Sequence, residues 1–146
     1  MNIGWEPPLQ GVVAVVRRYR ALLVIRRSQT VRAPGAYCFP GGGIEDDEDE
    51  PAALRREMHE ELGVVVQPVR RIWECRSPSG RVQLFWWLTE LAPAAHPLPN
   101  PAEVESVHWL EPDHILSLPG LLETNRAFLT NLASGHIDLT RSTTGS

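Results

Sequence analysis

The chain has 146 residues, 42% of them hydrophobic and 22% charged, the make-up of one globular domain with a core large enough to fold alone. A formal charge of -4 argues against a general nucleic-acid binder, which needs surplus cations against phosphates. All 14 basic residues are arginine, which excludes a P-loop lysine and Schiff-base chemistry. No apolar run is long enough to span a bilayer, and the opening MNIGWEPPLQ lacks the basic flank and apolar segment of a signal peptide. A cytoplasmic protein without membrane partners is expected. Cys38 and Cys75 stand alone in sequence, without metal-ligand spacing, and are expected to be reduced thiols.

In chain order, Gly11 to Arg18 and Ala21 to Arg27 are rich in β-branched and aliphatic residues and predict two strands joined at Tyr19-Arg20 as a hairpin. Ser28 to Ala36 reads as a loop with a Pro34-Gly35 turn, and Tyr37 to Phe39 as a short strand. Pro40-Gly41-Gly42-Gly43 predicts a loop free to adopt positive φ. A helix follows, with Asp49 as N-cap, Pro51 in its first turn, an apolar stripe of Leu54, Met58 and Leu62, and Gly63 as terminator. Val64 to Val66, Ile72 to Cys75, Arg81 to Glu90 and Val104 to Leu110 read as strands. Ser77 to Gly80 is a turn, and the proline-rich Leu91 to Pro101 an exposed loop. Leu121 to Leu132 predicts a second helix, and Ser134 to Ser146 a loose tail. This order of strands, helix, strands and helix gives an α/β fold with a sheet flanked by helices. It forms one domain over residues 1–146, with a core at about 11–133.

The chemistry-bearing segment is GGIEDDEDEPAALRREMHEELGV, residues 42–64. Its helical part sets Glu57, Glu60 and Glu61 at i, i+3 and i+4, on one side of a helix. They also lie in its last turns, where the dipole disfavours anions. Arg55, Arg56 and His59 could neutralise them on a merely solvated face. A divalent cation could do so instead, and carboxylate oxygens suit Mg²⁺ or Mn²⁺. The glycine-rich run beside them favours the second reading, because it can bring backbone groups close to a metal or a phosphate.

This segment resembles the Nudix box. Gly42 opens it, Glu48 follows after five residues, Arg56-Glu57-Met58 after seven more, and Glu60-Glu61, Gly63 and Val64 close it. Asp47 departs from the glycine many members carry before the first glutamate. The resemblance implies a Nudix fold, a mixed sheet sandwiched between helices. It implies one to three Mg²⁺ ions on Glu57, Glu60, Glu61 and the Gly41 carbonyl, a structural Arg56–Glu48 salt bridge, and Glu57 or Glu60 as the base. It extends over roughly Gly11 to Leu132 and is more particularly similar to the MutT-type branch. That likeness implies an arginine near the substrate phosphates, Arg27, and a base pocket walled by the strand containing Phe85, Trp86 and Trp87. It also implies a further metal ligand or base at Glu103, with Glu105 competing, and an asparagine reading guanine, Asn125. Without a ligand role, Arg27 is a surface arginine, the aromatic residues are core, and Asn125 is an N-cap or surface residue.

The implied activity is hydrolysis of a nucleoside triphosphate to monophosphate and pyrophosphate, including oxidised guanine nucleotides. Alternatives are an ADP-ribose or dinucleoside polyphosphate pyrophosphatase and a non-catalytic nucleotide sensor. The implied partner is a small nucleotide rather than a nucleic acid, bound by a monomer or homodimer.

Overall fold

A computed structural model describes residues 8–140; the signal-peptide question concerns an N-terminus that lies mostly outside them, as do residues 141–146. The elements are β1 (Leu9–Arg18), β2 (Ala21–Arg27), β3 (Tyr37–Cys38), β4 (Gly41–Gly43), α1 (Glu50–Leu62), β5 (Val66–Arg76), β6 (Val82–Leu91), β7 (Val104–Leu110), α2 (Pro112–Leu116) and α3 (Glu123–Ala133). The strands form one mixed sheet of order β3-β2-β1-β6-β5, with β4 added to β1 and β7 to β2. β1 lies parallel to β6 and antiparallel to β2 and β4.

The alternation of side chains along β1 divides the core in two. Val12, Ala14 and Val16 face α1, with Leu54, Met58 and Leu62, while Val13 and Val15 face α2 and α3, with Ile115, Phe128 and Leu129. The sheet is therefore buried on both faces, an α/β/α sandwich, which explains why β1 reads as a continuous apolar run. Among the described residues no helix is long and apolar enough to cross a membrane.

Several elements differ from the sequence expectation. Gly41–Gly43 is not a loop with positive φ but a strand, paired with Gly11, Val12 and Val13. Of the segment expected at 64–66 only Val66 is in a strand; it opens β5, which also takes in 72–75 and whose register shifts between Pro68 and Arg70 and again between Arg71 and Trp73. β5 lies at the edge of the sheet, where a proline without an N–H is tolerated. The short helix α2 was not foreseen. Leu121 and Leu122 are extended, bridging to Tyr37, so the last helix starts at Glu123. The tail expected after Ser134 is packed as far as it is described, since Ile137 and Leu139 are buried against the α3 side of the sheet.

Candidate active site

The helix α1 presents the carboxylates. Asp49 caps it by accepting from the Ala52 N–H at 2.8 Å, and Gly63 ends it in the left-handed conformation, φ 64°. Glu61 falls seven residues after Leu54 and three after Met58, so it shares their buried face and is only 6% exposed. Glu57 is half-buried, and Glu60 points outward with its side chain 48% exposed. The three carboxylates thus fan from interior to solvent, spanning about 100° around the axis.

The strand β4 supplies the floor. A Cβ on Gly41 would stand 2.0 Å from the Val12 carbonyl oxygen, so only glycine lets β4 lie on β1 at this point. A Cβ on Gly42 would stand 2.3 Å from the Glu57 carboxyl carbon. The missing side chain is therefore the space in which the Glu57 carboxylate rests. The Gly41 N–H donates to Glu61 Oε1 at 3.3 Å.

Arg56 joins these parts. Its Nε donates to Glu48 Oε2 at 2.8 Å, and its Nη2 to Glu48 Oε1 at 2.9 Å and to the Gly43 carbonyl at 2.8 Å. Its Nη1 donates to Glu57 at 2.9 Å and Glu60 at 3.3 Å. The hydrogen bonds from Arg56 hold the Glu48 carboxyl down to about 2. Glu61 behaves in the opposite way. Burial, and then the charges of Glu57 and Glu103 against the opposing Gly41 N–H, push it up to about 8. Glu57 is raised by burial, against the pull of Arg56, with Glu60 and Glu103 adding to the rise.

Glu103 starts next to this end of α1, since Asn100 donates its N–H to the Glu61 carbonyl at 2.8 Å and accepts from the Glu103 N–H at 2.9 Å. Glu105 is elsewhere, in an ion pair with Arg26 at 3.1 Å. Arg27, at the end of β2, acts electrostatically on Glu61, and its Nε donates to the Arg32 carbonyl at 2.6 Å. Arg27 therefore stands beside the carboxylates.

The expected base-binding residues do not converge. Phe85 and Trp87 lie on the α1 side of the sheet. The Phe85 ring is covered by the Arg71 guanidinium at 4.5 Å, and the Trp87 indole donates to Glu50 at 2.8 Å. Asn125 belongs to α3, on the other side, and is neither an N-cap nor a surface residue. Leu122 holds the cap position, and Asn125 is 4% exposed, its Oδ1 accepting from the Phe39 N–H at 2.8 Å and its Nδ2 donating to Thr124. The aromatic residue of β6 on its side is Trp86, stacked on Phe128 at 4.6 Å.

Among the described residues no three acidic, histidine or cysteine side chains converge on a single point, and Arg56 bridges Glu57 and Glu60. The donor set nonetheless fits a hard divalent cation. It consists of carboxylate oxygens beside a backbone strand, two of them buried enough to resist ionisation without a counter-charge. Asn100, to which the sequence alone assigns no role, donates to the carbonyls of Glu60 and Glu61 at the end of α1. Its position between Pro99 and Pro101 is a turn signal of the Asx type.

An α/β/α domain with an acidic helix set against a glycine strand agrees with the Nudix fold that the sequence resemblance implies. The model of the NUDIX domain matches residues 7–132, and the chain belongs to the Nudix family. It is 29% identical to the CTP pyrophosphohydrolase of Escherichia coli K12 over 76% of this chain and 82% of that protein. It is also 29% identical to the NAD-capped RNA hydrolase NudC of Stutzerimonas stutzeri, over 75% of this chain but only 38% of that longer protein. A MutT protein from Methanosarcina mazei Go1 has the same fold, with a TM-score of 0.77 at 22% identity, covering 90% of this chain and 98% of that one. The chain is thus a Nudix hydrolase with a MutT-like fold, an enzyme of nucleotide phosphoanhydride bonds.

Proposed function

We propose that this enzyme is a Mg²⁺-dependent nucleoside triphosphate pyrophosphohydrolase, releasing a nucleoside monophosphate and pyrophosphate. The observation that carries the proposal is the fit of two buried carboxylates against β4, Glu57 in the space left by Gly42 and Glu61 on the Gly41 N–H. Glu57, Glu60, Glu61, Glu103 and the Gly41 carbonyl would hold the ion, with Mn²⁺ an acceptable substitute. Bound there, it would neutralise the diphosphate and lower the pKa of the attacking water.

The protein's own part follows from the geometry. Arg56, held by Glu48, keeps Glu57 and Glu60 at fixed positions along the helix. Arg27 supplies positive charge to the phosphates. Glu57 or Glu60 takes the proton from the water. The water oxygen forms a bond to the α or β phosphorus, the bridging P–O bond between them breaks, and the electron pair leaves with pyrophosphate in the first case or with the monophosphate in the second.

The triphosphate substrate is supported by the CTP pyrophosphohydrolase, most of whose length this chain covers. A preference for oxidised guanine gains no support from Asn125, since both ends of its amide are engaged within the protein. The test is product analysis over a panel of CTP and other nucleoside triphosphates, 8-oxo-dGTP, ADP-ribose, dinucleoside polyphosphates and NAD-capped RNA. Monophosphate and pyrophosphate from the triphosphates are expected. A clear preference for ADP-ribose or a capped RNA would overturn the assignment.

A further inference from the structure

The last four carbonyls of a helix have no partner within it and must find one elsewhere. In α1 these are His59, Glu60, Glu61 and Leu62, the turn that carries two of the site glutamates. The Gly63 N–H takes the first, at 2.9 Å, and the Leu98 N–H takes the last, at 2.9 Å. The two between are both taken by Asn100. Its backbone N–H donates to the Glu61 carbonyl at 2.8 Å, and its side-chain Nδ2 donates to the Glu60 carbonyl at 3.3 Å.

The other half of Asn100 faces the segment leading to β7. Its Oδ1 accepts from the Ala102 N–H at 3.2 Å, and its carbonyl accepts from the N–H groups of Glu103 at 2.9 Å and Val104 at 2.8 Å. One residue therefore connects the turn bearing Glu60 and Glu61 to the backbone of Glu103. The side chain needed has a donor at one end and an acceptor at the other, as an amide does. Aspartate would lose the donor and place a further anion at the negative end of the helix.

We propose that Asn100 is a positioning residue, which sets Glu103 against Glu57 and Glu61 by tying the end of α1 to the start of β7. It touches neither metal nor substrate and acts through Glu103. The inference rests on the reading of Glu103 as a metal ligand given above. Removing such an orienting partner typically weakens metal affinity by about 10–100-fold.

The test is Mn²⁺ titration of the full chain, followed by the paramagnetic resonance of the free ion. It uses Asn100→Ala, Asn100→Ser, Glu103→Gln and the double variant Asn100→Ala/Glu103→Gln. Asn100→Ala is expected to weaken Mn²⁺ binding by about tenfold and to lower kcat with little change in the KM for CTP. Asn100→Ser, which keeps an oxygen for the Ala102 N–H, is expected to recover part of the loss. In the Glu103→Gln background the further loss on removing Asn100 should vanish. Unchanged Mn²⁺ affinity in Glu103→Gln would overturn the ligand reading of Glu103 and the inference with it. A weakened Glu103→Gln beside an unchanged Asn100→Ala, or losses that simply multiply in the double variant, would overturn the role of Asn100 alone.

Discussion

In the proposed mechanism Glu61 sets function against stability. Its helix position buries it, and its carboxyl is pushed up to about 8. A carboxyl raised in the folded state binds more protons there than in the unfolded chain. The metal-free protein should therefore lose stability as pH rises from the ordinary carboxylate range towards about 8. Glu61→Gln keeps an acceptor for the Gly41 N–H and removes the ionisation. It should raise the melting temperature of the metal-free protein at pH 8, flatten its fall with pH, and abolish both the Mg²⁺-induced rise and turnover. Calorimetry with and without Mg²⁺ checks this, and a variant less stable than the parent at pH 8 would contradict it. Asn125 is a different case, because its buried bond to the Phe39 N–H supports the segment leading into Gly41. Asn125→Ala leaves that donor unpaired, a cost of about 1–3 kcal/mol, seen as a lower denaturation midpoint. The ratio of rates on CTP and 8-oxo-dGTP should not move.

Among the elements, α1 and β4 work as one unit, and their glycines make the dependence testable. A methyl on Gly42 would overlap the Glu57 carboxylate, whereas a Cβ on Gly43 meets nothing closer than the Gln10 carbonyl at 4.0 Å. Gly42→Ala should leave a folded protein, since the end of the Glu57 side chain can move. It should lower kcat by about 100-fold or more, as misplacement of a catalytic group by about 1 Å does. Gly43→Ala should remain near the parent rate. Equal effects in steady-state kinetics would remove the proposed reason for glycine at position 42. How much of this unit was legible in the sequence depended on range. The cap, stripe and terminator of α1 are local signals, and Asp49, Leu54, Met58, Leu62 and Gly63 stand where they were expected. The pairing of Gly41–Gly43 with β1 is a contact between distant segments, so glycine freedom suggested a loop where close packing makes a strand. The preference proposed for Glu103 over Glu105 likewise draws on a long-range contact, the ion pair of Glu105 with Arg26. The two faces of β6 were predictable by alternation, but not which of them meets α3.

At the scale of the molecule, the two faces of the sheet have separate tasks. The α1 face carries the carboxylates, and the opposite face is closed by α2, α3 and the segment after Ser134. There Ile137 and Leu139 pack with Phe128, Trp86 and Val15, and Arg70 donates to the carbonyls of Asp138 at 2.8 Å and Thr140 at 2.6 Å. The expectation of a loose tail here missed the burial of Ile137 and Leu139 because that burial depends on a surface formed by other elements. Burial of Ile137 and Leu139 contributes about 1.5–3 kcal/mol each. A chain ending at Ser134 loses both, together with the two acceptors of Arg70. For a protein of this size about 2–4 °C follows each kcal/mol, so its melting temperature should fall by on the order of 10 °C. The Mg²⁺-induced rise, which belongs to the other face, should keep its size, because neither Ile137 nor Leu139 touches the cluster under α1. Leu139→Asp should give the same pattern in the full-length chain. Thermal unfolding of both variants with and without Mg²⁺ decides the matter: an unchanged melting temperature would mean that the segment does not close the core, and loss of the Mg²⁺ response would mean that the two faces are coupled.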